Sequence, residues 1–578
     1  MRILIEEYQY DVSKVRDVLY GIDALENMEG RVSIHYVGYY YNMLLKDCVF
    51  ILPKVLLKDV DGQELVFGKY KPEDIANLDT FDSKERSFLY KFAVWIYRAI
   101  VVYKNDRRND TRIVCQSHIA QICNRGRRQS NTYLDILLSL IQFNQDNQSF
   151  FFFIIKNLHS GLNKINWQRT IATQTAIIQN EQAVYLNPVN KRRQINFDEE
   201  LLIIFFSILN YIGDTYGFPK DICCQFQLIT GKRFDTYLNG FGKTRLRQIK
   251  YKYFSDKALQ LWHLCYNFFD EAQQVMVATE QRDYLLVKNF YVVFEAIIDE
   301  LIGDNPLPDG MEKQQEDGKI VDHLFTSQSL IVGANEQTYY IGDSKYYKIG
   351  HELGSQSIYK QYTYARNVIQ WNIDIFSNGD KSSSGVRLRD DVTEGYNILP
   401  NFFISAKLNE MFSYDDDNIE KTDRKRNRHK RVQFDNRLFD RDTLLLSHYD
   451  VNFLYVLSLY ARDNQSQKAA WKMKVRQHFC KEIQKWLDED YDFYFIKAKT
   501  GVDDKEYFKT HFQQLLGKFY VPFEQYKDIY SLALEKGEKY QQENKLLLNQ
   551  LKDYFFVERF KLEKDQQDVL VRIRTRTH

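Results

Sequence analysis

The spacing of apolar and polar residues divides the 578-residue chain into stretches of different character. Residues 31–70 carry Val, Ile, Tyr and Phe in short runs, "RVSIHYVGYYYN" and "CVFILPKVLL", broken by polar turns, and predict strands. From "DSKERSFLYKFAVWIYRAI" at position 82 to about residue 280 the pattern is mostly helical. Phe88, Phe92 and Ile96 recur at helical spacing, Asp82 or Ser83 can cap, and Glu85 suits a first turn. The runs "SFFFFII" and "LLIIFFSIL" are shorter than the ~20 residues of a membrane-spanning helix and predict buried helix segments.

Beyond residue 280 helices and strands alternate. "LLVKNFYVVFEAIIDELI" predicts a helix with Val287, Tyr291, Phe294, Ile298 and Leu301 as its apolar stripe. "KIVDHLF" and "TYYIGDSKYYK" predict strands, "SIYKQYTYARNVIQWNI" a helix, "NFFISAKL" a strand, and 443–461 a strand running into a helix. The last hundred residues predict helices with short turns. The expectation is a multidomain α+β protein: a β-rich domain at 1–80, a mainly helical connector at 81–280, an α/β core with a mixed sheet at 281–465, and a helical region at 466–578.

Composition changes this picture little. With 44% hydrophobic and 27% charged residues the chain can build real cores, and its 79 basic and 78 acidic side chains leave a net charge of +1. Any nucleic-acid contact must therefore be local. "GKTRLRQIKYKYF" at 242–254 and a block with seven Lys or Arg at 421–431 are the basic stretches; for both, a solvated face is the competing reading, and the second predicts a mobile loop. Seven Cys, odd in number and without a Cys-x-x-Cys pair, argue against a disulfide framework and a zinc site and point to the reducing cytoplasm. "MRILIEEYQY" lacks the apolar region of a signal peptide.

Two apparent motifs fail on spacing. Gly242-Lys243-Thr244 resembles the end of a phosphate loop, but Tyr237 stands where its first Gly belongs. "HELGS" at 351 has Ser355 where a zinc protease has its second His.

The Asp-x-Lys triplets are more informative. Those at Asp317, Asp423 and Asp503 fall in turns or the charged block, and Asp82-Ser83-Lys84 opens a helix; only Asp343 and Lys345 follow an apolar strand. On a strand their side chains share one face, about 7 Å apart. Metal-dependent phosphodiester cleavage needs that combination, a carboxylate for Mg²⁺ and an ammonium for the attacking water or the developing charge. Asp322 in "KIVDHLF", on another apolar strand joined by a hairpin or a longer excursion, supplies a second carboxylate that can reach the same ion if the strands are adjacent. Glu295, at the edge of the preceding helix's apolar stripe, supplies a third; Asp299 and Glu300 are expected to face solvent or cap the helix end.

This order resembles the PD-(D/E)xK nuclease superfamily, whose core is helix, strand hairpin, helix and strand. The resemblance gives Asp322 the first motif position, Asp343 and Lys345 the acid-x-Lys, and Glu295 the helix acid, with Gln361 and Tyr364 similar to the Gln/Tyr helix motif of the RecB-like branch. Val321 stands where the family often has Pro, and Gln361 and Tyr364 are three rather than four apart. "VGYYYNMLLKDCVFILPKVLL" at 37–57, "FYVVFEAIIDELIGD", "VDHLF", "IGDSKYYK" and "NRLFDRDTLLLSHYDVNFLYVL" together resemble the McrC-like nuclease subunit of the LlaJI group of restriction endonucleases.

That resemblance implies a Mg²⁺- or Mn²⁺-dependent endonuclease acting on double-stranded DNA, with GTP entering only through a McrB-like AAA+ GTPase partner that the N-terminal domain docks into. Cognate DNA methyltransferases in the same operon are a further implied association, and no membrane is involved. Metal would be held by Asp322, Asp343 and Glu295, with Lys345 acting on the water. Lys243, Arg245 and Arg247, with Lys425, Arg426 and Arg428, are the expected phosphate contacts. A stand-alone nuclease of the same fold in defence, repair or transposition, and a non-catalytic activator of a GTPase ring, are the alternatives.

Overall fold

The computed structural model describes residues 2–20, 26–28, 30–42, 44–45, 47–74, 81–106, 113–116, 127–130, 133–148, 167–186, 199–216, 220, 222, 227–253, 256–270, 275–278, 284–307, 313–314, 318, 320–331, 337–348, 354–377, 386–409, 411–422, 428–431, 434–462, 464–523 and 525–576. The chain forms two compact units. One comprises Met1–Lys54, Lys69–Phe290 and Ala461–Asp463; the other comprises Val55–Gly68, Tyr291–Tyr460 and Asn464–His578. Each mixes helix and strand, as the sequence pattern predicts.

In the first unit Arg2–Ile5 runs parallel to Asp47–Leu52, and the sheet continues through Tyr36–Asn42 and Tyr284–Lys288 to Ile113–Gln116. Gly38 has φ of +141°, and a Cβ there would lie 2.1 Å from the Leu285 carbonyl oxygen, so only glycine lets these strands approach. The buried Glu6 carboxylate accepts the N–H groups of Lys54 and Phe290 at 3.3 and 3.1 Å, which is why an acid is tolerated in this apolar N-terminal stretch. Asp82 accepts the Glu85 N–H at 2.8 Å and caps the helix Ser83–Asp106, so this Asp-Ser-Lys is a helix start. "LLIIFFSIL" lies in the buried helix Glu199–Tyr216, whereas "SFFFFII" falls outside the described residues.

Two expectations need correcting here. Residues 284–288 are a strand rather than the start of a helix, and Val287 pairs with Val37 in the sheet; the helix begins at Tyr291. The four-residue apolar run Tyr284–Val287 carries no period long enough to separate the two, and Asn289, at φ of +57°, ends the strand. The β-rich part is likewise not confined to 1–80, since its sheet takes strands from 113–116 and 284–288.

The second unit holds a six-stranded sheet in the order His323–Gln328, Gln337–Lys345, Pro400–Lys407, Leu444–Asn452 and Ile419–Lys421, with Arg428–Arg431 also on Leu444–Asn452. The first pair is an antiparallel hairpin, the next two pairings are parallel, and the last strands are antiparallel. The parallel step from Gln337–Lys345 to Pro400–Lys407 spans the helix Ser355–Ser377. Along Gln337–Lys345 the side chains alternate. Tyr339 and Ile341 join Tyr364, Val368 and Phe403 in the core beneath that helix. Tyr340 points the other way and stacks on Phe325 at 4.9 Å, where Phe402 meets Phe479 of the helix Gln465–Asp490. Both faces are covered, so these strands read as near-continuous apolar runs.

The helix Tyr291–Ile302 is fixed at its C-terminal end by basic side chains of Gln465–Asp490. Arg476 Nε donates to the Ile302 carbonyl at 3.0 Å and Lys472 Nζ to the Gly303 carbonyl at 2.7 Å. Cations there satisfy free carbonyls and complement the helix dipole.

The C-terminal region is not purely helical. An antiparallel sheet, in the order Phe519–Tyr520, Ile529–Glu535, Tyr491–Ala498 and Phe555–Phe560, carries the helices Gln541–Tyr554 and Gln566–Arg574. "IYSLALE" has a helix-forming composition, but strand pairing and burial outweigh propensity. The charged block is also partly ordered: Ile419–Lys421 and Arg428–Arg431 are short strands, because backbone pairing at a sheet edge tolerates charged side chains.

Candidate active site

The hairpin brings two of the predicted acids together. Leu324 pairs with Ile341 and His323 with Gly342; one further step sets Asp322, just outside the strand, opposite Asp343. Their carboxyls interact with each other. Asp343 and Lys345 lie on the same face as Tyr339 and Ile341, beneath the helix Ser355–Ser377. Lys345 Nζ lies 2.6 Å from Asp343 Oδ2, with only 1% of Asp343 and 9% of Lys345 exposed. The same ammonium stands 5.2 Å from the centre of the Phe403 ring. Between them Gly342 faces the other way, where a Cβ would meet the Phe402 ring at 2.2 Å.

The electrostatics follow from this packing. Burial, the Asp343 carboxylate and Glu295 push the Asp322 carboxyl up to about 8, with Lys360 pulling the other way. Glu295, on the helix Tyr291–Ile302, is thus felt at the pair as charge. Lys360 opposes burial with the Tyr364 hydroxyl and the charges of Asp322 and Asp343, which together hold its ammonium above the ordinary lysine range.

The supporting residues have specific partners. Tyr364 is buried and its hydroxyl donates to the Ile320 carbonyl at 2.6 Å, fixing the chain two residues before Asp322. Gln361 is fully buried, and neither its amide nitrogen nor its amide oxygen has a hydrogen-bond partner.

A brace with no local sequence signal holds the other side of the hairpin. Lys313 Nζ donates to the Asp322 backbone carbonyl at 2.7 Å and pairs with Asp299 at 2.5 Å. Asp299 also faces the buried His323 at 3.5 Å; burial raises the Asp299 carboxyl, but His323 and Lys313 outweigh it and hold it low. Burial holds the His323 imidazole below its usual range. Asp299 and Glu300, expected at the solvent or the helix end, therefore pair instead with Lys313 and Lys468. Lys360, absent from the sequence-based candidates, did have a signal: it lies four residues before Tyr364, on the same face of one helix.

Among the described residues no group of three or more His, Cys, Asp or Glu is gathered closely enough to hold a metal ion. Two carboxylates do meet, and Mg²⁺ is commonly held by one or two carboxylates with its remaining positions left to water. A carboxyl pair that keeps a proton to about 8 offers oxygen donors suited to a hard divalent cation.

The expected phosphate contacts are less available than the sequence implies. Lys243 pairs with Asp270, and Arg245 grips Glu200 with Nε at 2.5 Å and Nη2 at 3.1 Å. Arg247 Nε donates to the Tyr266 hydroxyl at 2.8 Å. All three belong to the first unit. Arg428 starts an edge strand, whereas Lys425 and Arg426 lie outside the described residues, as do Asp317, Asp423 and "HEL" at 351–353. Asp503 caps the helix Asp504–Thr510. Among the described residues no helix is long and apolar enough to cross a membrane. Cys265 and Cys480 are free and buried.

Comparison with known proteins gives no matching family model, no similar curated protein and no similar solved structure.

Proposed function

We propose that this chain is a divalent-metal-dependent DNA endonuclease with a PD-(D/E)xK-type core, the nuclease subunit of a McrBC-like, LlaJI-like restriction system. The observation that carries the reading is the Asp322–Asp343 carboxyl pair with Lys345 bound to Asp343, on a hairpin preceded by the Glu295 helix and followed by the Gln361–Tyr364 helix. The order of helix, antiparallel hairpin, helix and parallel strand supports it independently of those side chains.

Hydrolysis of a phosphodiester adds a water oxygen to phosphorus, breaks one ester P–O bond and passes a proton to the leaving alkoxide oxygen, which departs as a hydroxyl. Asp322 and Asp343 would hold the cation, Mg²⁺ or Mn²⁺, with Glu295 adding negative charge beside them. When bound, the cation supplies Lewis acidity and a nucleophile at neutral pH. Lys345 keeps the Asp343 carboxylate oriented and offsets its buried charge. Gln361, fully buried, offers an unused amide to a buried water. A McrB-like AAA+ GTPase would supply energy and recognition, cognate DNA methyltransferases would complete the system, and the setting would be cytoplasmic.

The test is cleavage of double-stranded DNA with Mg²⁺, by the chain alone and with its GTPase partner and GTP. Loss of cleavage in both Asp343→Ala and Lys345→Ala is expected. Intact cleavage and phage restriction in both variants would replace this reading with a non-catalytic activator of a GTPase ring. Cleavage by the chain alone, without the partner, would favour a stand-alone nuclease.

A further inference from the structure

Lys345 is nearly buried and its ammonium is committed to Asp343 at 2.6 Å, so it has little charge left for a substrate phosphate. A second cation, on the neighbouring helix, acts on the same carboxylates through its charge. Lys360 is exposed, on the helix Ser355–Ser377, and its Nζ lies 5.3 Å from the centre of the Tyr364 ring. Tyr364 is fixed in turn by its 2.6 Å hydrogen bond to the Ile320 carbonyl, on the segment leading into Asp322. The aromatic ring thus ties Lys360 to the strand that delivers the first carboxylate. Asp322 and Asp343 both act electrostatically on the Lys360 ammonium, consistent with its place over the Tyr364 ring.

From this arrangement we infer that the two lysines divide the work: Lys345 is the internal counter-ion of Asp343, and Lys360 is the solvent-facing cation that contacts a non-bridging oxygen of the scissile phosphate. The inference rests on the nuclease reading above. It follows from charge: a phosphodiester approaching two or three carboxylates is repelled unless a free cation meets it, and an exposed ammonium can move onto the phosphate while a buried, paired one cannot. Tyr364 limits where that ammonium can go, so the contact is aimed rather than diffuse.

The experiment compares wild type, Asp343→Ala, Lys360→Ala and Lys360→Arg in whichever assembly cleaves DNA, with melting temperature and Mn²⁺ binding to the DNA-free chain as separate readouts. Lys360→Ala should lower the single-turnover cleavage rate at saturating DNA about 10-fold or more. Lys360→Arg should restore most of it, because arginine keeps the charge. Melting temperature should hold, and Mn²⁺ should bind as tightly or more tightly, since a cation acting on its ligands is gone. Cleavage by Lys360→Ala within about 2-fold of wild type, while Asp343→Ala is inactive, overturns the role of Lys360 and leaves the nuclease reading standing. A wild-type chain that neither binds Mn²⁺ nor cleaves DNA overturns both.

Discussion

Asp322 stands across the hairpin from Asp343, one step past the His323–Gly342 pair, and burial and the facing Asp343 carboxylate disfavour charge on Asp322. The folded chain therefore retains on Asp322, up to about 8, a proton that an ordinary aspartate loses near 3.8. Metal-free protein holds more protons folded than unfolded across that interval, so its stability falls as pH rises from about 4 to about 8. Melting curves in chelator should show that slope, and Asp322→Asn should flatten it. Mg²⁺ should raise the melting temperature most at the alkaline end, where it replaces the missing proton.

The buried Lys345–Asp343 pair makes a second prediction. Lys345→Met strands a buried carboxylate and should cost about 3 kcal/mol or more in metal-free protein. The double variant Asp343→Asn/Lys345→Met should recover most of that loss, because no uncompensated charge remains. Urea unfolding of the single and double variants checks it.

Gly342→Ala should disturb the hairpin without touching a polar group of the site. Its Cβ would press into the Phe402 ring, which is held between Phe325 and Phe479. The ring has little room to yield, so a loss of about 1–3 kcal/mol is expected from urea unfolding.

Lys243 and Arg245 are bound to Asp270 and Glu200. Lys243→Ala and Arg245→Ala should therefore leave the salt dependence of DNA binding nearly unchanged, in contrast to free phosphate contacts, each of which shifts that slope by about one. Fluorescence titrations at several salt concentrations would show this.

Much of the second unit was legible in the sequence. "TYYIGDSKYYK" and "NFFISAKL" are strands, 443–461 is a strand running into a helix, and the helix between them is where its period put it. The nearness of the two carboxyls was legible from the order of the elements, since acids on adjacent antiparallel strands lie within reach of each other, but their register was not. What was not legible depends on partners distant in sequence. Residues 284–288 become a strand only because Tyr36–Asn42 and Ile113–Gln116 flank them, and "IYSLALE" only because two strands enclose it. The pairing of Arg245 with Glu200, 45 residues away, removes a cation that the local sequence advertises as free. The brace from Lys313 to Asp322 likewise joins residues that no periodicity brings together.

The central claim is that one divalent ion binds between Asp322 and Asp343. A crystal structure of the protein soaked in Mn²⁺, with anomalous data, tests it most directly. The account predicts a single strong anomalous peak about 2.1 Å from a carboxylate oxygen of each residue, lost in Asp343→Asn. Saturating Mn²⁺ with no peak at the pair, or a peak that survives Asp343→Asn, would contradict it.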